Sequence, residues 1–195
     1  MRALIIGDSY CRDIDCALLH NMPTIKTYSI FSPRNMNNII HRYREELANV
    51  TKFGPTVLIL HLGHNDIAFH HHLNAIPQHP RVVASKTIEF AQEVANNHPG
   101  IKFFISSIYP RTCTPTSYFG SPEIISYNKK VKRYGQHLRT LTTAAGFQIL
   151  LNNILWRRIS KSLEESIHYT HDGLHITFEA KLIITKEWLV QINNS

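Results

Sequence analysis

Long apolar runs, cysteine and internal repeats are what this chain has least of. No stretch approaches the roughly 18 apolar residues that a membrane-spanning helix needs. The N-terminus, MRALIIGDSY, offers only Ala3–Ile6 as an apolar run before Gly7 and Asp8, which is too short for the core of a signal peptide. The expectation is therefore an intracellular, cytoplasmic protein with no membrane span. The three cysteines, Cys11, Cys16 and Cys113, are odd in number and too few for a disulfide framework, so they are expected as reduced, buried thiols. No repeat, low-complexity tract or linker interrupts the chain, and residues 1–195 are expected to form a single domain. The segment His70-His71-His72, followed by Pro77 and Pro80, reads as one polar loop.

What is present is an ordinary globular balance. Of 195 residues, 43% are apolar and 18% charged, enough to bury a core. The net charge of +7 attracts anionic partners in general. Its densest run, Lys129, Lys130, Lys132 and Arg133, followed by Arg139, Arg157 and Arg158, has no aromatic ladder or nucleic-acid motif interleaved with it. A solvated helix face is the better reading of that run.

Five short apolar segments read as strands: Ala3–Ile6, Ile25–Phe31, Val57–Leu62, Ile101–Ile108 and Phe147–Leu151. Helical spacing falls between them. Met36, Ile39, Ile40, Tyr43, Leu47 and Val50 form one stripe, and Val83, Phe90, Ala91 and Val94 another. Ser121-Pro122 is a helix start and Gly146 a helix stop, which bounds a long helix over Pro122 to Ala145. A last helix is expected from Thr177 to Ile192. Strands alternating with helices imply a three-layer α/β/α sandwich around a mostly parallel sheet. Right-handed crossovers make a five-stranded, flavodoxin-like order, 2-1-3-4-5, the natural arrangement. In such sheets, chemistry gathers beyond the carboxyl ends of the strands.

Three short motifs fall at those ends. Gly7-Asp8-Ser9 closes the first strand, Gly63-His64-Asn65-Asp66 follows the third, and His171-Asp172-Gly173-Leu174-His175 precedes the last helix. Taken singly, the first two are turns carrying helix-capping residues. The last looks at first like the H-E-x-x-H helix of a zinc protease. However, Gly173 is a poor interior helix residue, Asp172 is one methylene shorter than Glu, and the flanking residues carry no apolar stripe. A second metal reading combines His168 and His171 with His61, His64 and Asp66, but the paired acids such a site needs after the first strand are not found. No metal ligand is assigned.

In this order and these places, the motifs resemble the SGNH hydrolases, also called GDSL-type esterases. The resemblance runs from Ala3-Leu4-Ile5-Ile6-Gly7-Asp8-Ser9 through Gly63-His64-Asn65-Asp66 and Ile108-Tyr109-Pro110-Arg111 to Asp172-Gly173-Leu174-His175. It implies that Ser9 is the nucleophile, that Asp172 and His175 complete the triad, and that the Asn65 amide donates to the oxyanion together with the Ser9 N–H. The chemistry fits those roles. A serine hydroxyl needs a base to take its proton, imidazole accepts and returns a proton near neutrality, and a neighbouring carboxylate fixes the tautomer and steadies the imidazolium. The local sequence Gly7-Asp8-Ser9-Tyr10-Cys11 lacks the G-x-S-x-G elbow of α/β-hydrolases, although the order Ser, Asp, His is shared.

One block departs from the family. Relatives carry a glycine after the second strand whose N–H is a further oxyanion donor, whereas Ile30–Asn37 contains none. The N–H of Arg34 or Asn35 is the available substitute. Arg34 has a second reading, as a positive group at the rim that selects an anionic ester. Gly63 and His64 join Arg34 and Asn35 as candidate substrate contacts. Ala180, where relatives have glycine, is a harmless helical substitution. The expected function is a serine esterase cleaving a short-chain acyl ester, of a small molecule or a glycan, through an acyl-serine and without a cofactor. The alternative keeps the fold without catalysis, as a basic binding module for nucleic acid or another anionic polymer, of the kind that accompanies retroelement proteins. A metal-dependent hydrolase stands behind both.

Overall fold

The computed structural model describes residues 1–68, 76–112, 120–150, 152, 169–170 and 175–195. Five strands, β1 (Arg2–Asp8), β2 (Lys26–Ser32), β3 (Val57–His61), β4 (Lys102–Ser106) and β5 (Gln148–Leu150), form one sheet in the order β2-β1-β3-β4-β5. Every pairing is parallel, so all five carboxyl ends open on one edge.

The period-two alternation of each strand splits the core into two layers. Leu4 and Ile6 of β1, Leu58 and Leu60 of β3, and Phe103 and Ile105 of β4 pack on one face. That face is covered by α2 (Met36–Glu45), α3 (Leu47–Phe53), α5 (Pro80–Asn97) and α6 (Ser121–Ala144). Ala3, Ile5, Val57, Ile59 and Phe104 face the other way, against α1 (Ile14–Asn21) and α7 (Phe178–Asn193). The short helix α4 (His64–Ile67) follows β3 directly. Both central strands are buried on both sides, which is why they read as continuous apolar runs.

Local chemistry sets the boundaries. Asn35 caps α2 by accepting from the Asn38 N–H, and Thr177 caps α7 by accepting from the Ala180 N–H. Glu123 reaches back to the Gly120 N–H at the start of α6, and Gly146, with φ 73°, turns the chain out of its end. Two expectations need correction. The single stripe over residues 36–50 is two helices divided at Glu46, whose carboxylate accepts from Tyr28 Oη and Asn49 Nδ2. The periodicity misses this bend because Ile39, Tyr43 and Val50 stay buried on either side of it. Cys16 is exposed on the solvent side of α1, whereas Cys11 is buried as expected; Cys113 lies outside the described residues. Lys129, Lys132, Arg133 and Arg139 stand on the exposed side of α6, and Arg157 and Arg158 lie outside the described residues. No helix among the described residues is long and apolar enough to cross a membrane.

Candidate active site

The turn that ends β1 is built by packing. A Cβ on Gly7 would stand 2.2 Å from Cys11 Sγ and 2.9 Å from the His61 carbonyl oxygen, so only glycine lets β1 run this close to β3. Asp8 then caps a single 3-10 turn, Ser9–Cys11, by accepting from the Tyr10 N–H at 3.1 Å, and the Arg12 N–H closes the turn on the Ser9 carbonyl at 3.3 Å. The result is a half-buried Ser9 at the sheet's carboxyl edge, with Asp8 buried beneath it. Burial raises the Asp8 carboxyl to about 8, against the downward pull of the Tyr10 and His64 N–H groups and Arg111.

His175 reaches the same edge from the other end of the chain. Its carbonyl accepts from the Thr170 N–H at 2.8 Å and Thr170 Oγ1 at 3.1 Å, and an antiparallel bridge joins Tyr169 to Ile176. Buried Tyr169 anchors this segment by donating its hydroxyl to the Pro110 carbonyl at 2.5 Å. Ser9 and His175 line one cleft of about 530 Å³, together with Tyr10, Pro33, Thr170 and Ile176. Asp172 and His171 lie outside the described residues, as does His168.

The Gly63–Asp66 block divides its labour. Gly63 sits at φ 113°, and a Cβ there would meet Tyr134 and Val83 at 3.2 Å, so this glycine serves the turn rather than a ligand. Asp66 is buried and accepts from the Met36 N–H at 3.0 Å and from Gln78 Nε2 at 3.2 Å, which fixes the start of α2. Asn65 Nδ2 donates to the Pro33 carbonyl at 3.2 Å and the Arg34 carbonyl at 3.0 Å. Because both partners are carbonyl oxygens, the amide nitrogen must face them. Asn65 thus holds the loop after β2 against the site. In that loop the Arg34 N–H is already engaged by Ser32 Oγ at 3.3 Å, and Asn35, like Asn65, is not among the residues that line the cleft. The Arg34 side chain is exposed and does not line the cleft.

His64 is fully buried, so in this conformation it lies beneath the cleft and not in it. It belongs to a chain of buried polar groups. Ser106 Oγ meets His61 Nδ1 at 3.0 Å, His61 Nε2 meets His64 Nε2 at 3.1 Å, and His64 Nδ1 meets Tyr127 Oη at 2.7 Å. The Tyr109 N–H also donates to His64 Nε2 at 3.2 Å. That amide fixes the tautomers: His64 Nε2 must be an acceptor, so His64 carries its proton on Nδ1 and His61 carries its own on Nε2. Both rings are neutral, burial holding His61 down to about 3 and His64 well below its ordinary value. The trio His61, His64 and Asp66 therefore does not converge as metal ligands would, since Asp66 turns away to α2.

Two residues given no role from the sequence complete the floor. Tyr10 lies on His64, and its ring centroid is 5.1 Å from that of His175. Its hydroxyl accepts from buried Arg111 at 2.7 Å and 3.2 Å, and the Arg111 guanidinium also lies 4.0 Å from the Tyr127 ring centroid. Its place in the resembling block Ile108-Tyr109-Pro110-Arg111 was the available signal for Arg111, but nothing local tied it to Tyr10.

With Ser9 and His175 on one cleft, comparison with known proteins becomes informative. The family profile for GDSL-like Lipase/Acylhydrolase matches residues 7–188. The chain belongs to that family. It is an ester hydrolase of the GDSL type, with the α/β/α fold of the group. Comparison with curated protein sequences gives no match. Among solved structures, the chain is similar to a GDSL-like lipase from Bacteroides thetaiotaomicron, with 16% identity, TM-score 0.70, and 99% of this chain and 87% of that one covered. It is similar to Est24, a carbohydrate acetylesterase from Sinorhizobium meliloti, with 14% identity, TM-score 0.71, and 99% and 98% covered. It is also similar to an aryl esterase from M. smegmatis, with 14% identity, TM-score 0.74, and 99% and 98% covered. Identities this low speak for the fold of this GDSL-type hydrolase and leave its substrate to its own residues.

Proposed function

We propose that this protein cleaves a short-chain acyl ester, of a small molecule or a glycan, through an acyl-Ser9 intermediate. Ser9 Oγ attacks the ester carbonyl carbon while His175 takes the hydroxyl proton. The tetrahedral oxyanion accepts from the Ser9 N–H, and from the Asn65 amide once that amide exchanges one of its two bonds to the Pro33 and Arg34 carbonyls for the oxyanion. Its collapse expels the alcohol, which receives its proton from His175. Water, deprotonated by His175, then attacks the acyl carbon, and the carboxylic acid and free Ser9 are released. Asp172 orients His175 in this reading.

The observation that carries it is the shared cleft of Ser9 and His175 at the carboxyl edge of a GDSL-family sheet. The esterases among the similar structures, one a carbohydrate acetylesterase, support the choice of a short acyl group. The test is labelling by a fluorophosphonate together with turnover of p-nitrophenyl esters of graded chain length. Wild type is expected to label and to favour acetate. Ser9→Ala is expected to lose labelling and about 10⁴-fold or more of kcat, and equal turnover in Ser9→Ala would remove the nucleophile.

A further inference from the structure

The remaining lining of the cleft is charged. Arg12, Asp13 and Lys181 complete its wall. Lys181 is 8% exposed, an uncommon burial for an ammonium. Its Nζ lies 3.3 Å from Asp13 Oδ2. Asp13 is the one non-glycine residue at positive φ among the described residues, at 61°, and that left-handed conformation directs the chain between the nucleophile's turn and α1. The Asp13 side chain is half exposed, so water weakens its hold on Lys181. The Arg12 guanidinium is exposed and has no hydrogen-bond or ion-pair partner among the described residues. Two cations against one half-solvated carboxylate leave the wall net positive.

Their attachment matters as much as their charge. Arg12 closes the turn that begins at Ser9. Lys181 stands in the first turn of α7, whose cap, Thr177, is two residues after His175. Each segment that carries a reacting group also carries a cation into the same cleft. A substrate held by both cations is thereby held in register with both reacting groups.

We infer that the cleft selects esters bearing a second, anionic group, a carboxylate in the simplest case, which Arg12 and Lys181 bind while Ser9 attacks the ester. This inference rests on the esterase reading above and narrows its substrate class. Partly buried Lys181 supplies attraction that solvent screens little, and Arg12 supplies a salt-sensitive share. The anion can sit on the acyl or the alcohol side, and the assay separates the two.

The measurement is a ratio of kcat/KM values. On the acyl side, p-nitrophenyl succinate is compared with p-nitrophenyl isocaproate, its uncharged isostere. On the alcohol side, p-acetoxybenzoate is compared with its methyl ester. In wild type the charged member is expected to win by about tenfold or more in at least one pair at low salt. That advantage should shrink as ionic strength rises from about 10 mM to about 0.1 M and the Debye length falls from about 30 Å to about 10 Å. Arg12→Glu, a change at an exposed position, is expected to bring the ratio to about one or below, and Lys181→Met to lower it without abolishing the salt response. A ratio near one in both pairs for wild type, or a ratio unchanged in Arg12→Glu and Lys181→Met, overturns the inference while leaving the esterase reading intact. If no ester is turned over, the esterase reading fails separately. Binding of monomethyl succinate to Ser9→Ala protein by calorimetry then decides the inference: loss of binding in the Arg12→Glu background sustains it, and no binding before that change overturns it.

Discussion

Tyr10 lies flat on His64, ring centroids 3.6 Å apart and planes within 7°. One residue beyond the candidate nucleophile, the chain is thus tied to a buried pair of neutral histidines, and the same tyrosine ring lies 5.1 Å from that of His175. The floor of the cleft is a polar network anchored in the sheet, and several consequences can be measured.

Tyr10→Phe keeps the ring beside His175 and removes the acceptor of two Arg111 bonds. A buried guanidinium losing an acceptor costs about 1–3 kcal/mol. The expected outcome is that loss in urea unfolding with kcat reduced less than about tenfold, because the ring packing persists. Tyr10→Ala removes both and is expected to lower kcat further. A larger kcat effect in Tyr10→Phe than in Tyr10→Ala would contradict this division.

Asn65→Ala takes away the tie to the Pro33 and Arg34 carbonyls as well as a candidate oxyanion donor. Loss of one such donor typically costs about 10²–10³ in kcat. Faster amide exchange across Pro33–Met36 is expected alongside it. Exchange that rises while kcat holds would assign Asn65 to the loop alone.

Stability is expected to peak near pH 6.5. Below the ordinary histidine value of 6.5, His61 and His64 take up protons only in the unfolded chain, since the fold holds His61 at about 3 and His64 well down. Asp8 opposes them: raised from 3.8 to about 8, it keeps its proton in the fold after losing it in the unfolded chain. Two protons against one make the fold weaken as pH drops below 6.5. Between 6.5 and 8 Asp8 acts alone and the fold weakens as pH rises. Urea midpoints across this range test the shape, and Asp8→Asn should flatten the alkaline limb and steepen the acid one, since no buried carboxyl then offsets the two histidines.

Gly7→Ala is expected to cost more than about 3 kcal/mol, because the new Cβ meets backbone as well as a side chain. Adding Cys11→Ala relieves the contact at Sγ but not the one with the His61 carbonyl at 2.9 Å. Partial recovery of the thermal midpoint in the double variant is the expected result, and full recovery would place the strain at Cys11 alone.

Much of this was legible from the chain. Apolar runs such as Val57–Leu62 are unavoidable in strands buried on both faces, and once strands and helices alternate, crossover handedness leaves the observed order. The Gly7-Asp8-Ser9 turn was readable where its constraints are local, an aspartate for the cap and a serine at the edge, whereas the close approach of Gly7 to the His61 carbonyl was not. The bend at Glu46 and the exposure of Cys16 were not, because a side-chain anchor and the outer face of a short helix leave periodicity unchanged.

Sequence by itself determined the layers, the strand order and the edge on which chemistry gathers, since these follow from periodicity, chirality and residues acting on near neighbours. Tertiary structure alone decided that His64 sits beneath the cleft, that Arg111 serves Tyr10, and that Arg12 and Lys181 share a wall with Ser9 and His175. Those outcomes depend on which side chains meet across segments as far apart as residues 10 and 111 or 13 and 181. Spacing along a chain carries no record of such meetings; burial and hydrogen-bond satisfaction in the packed molecule do.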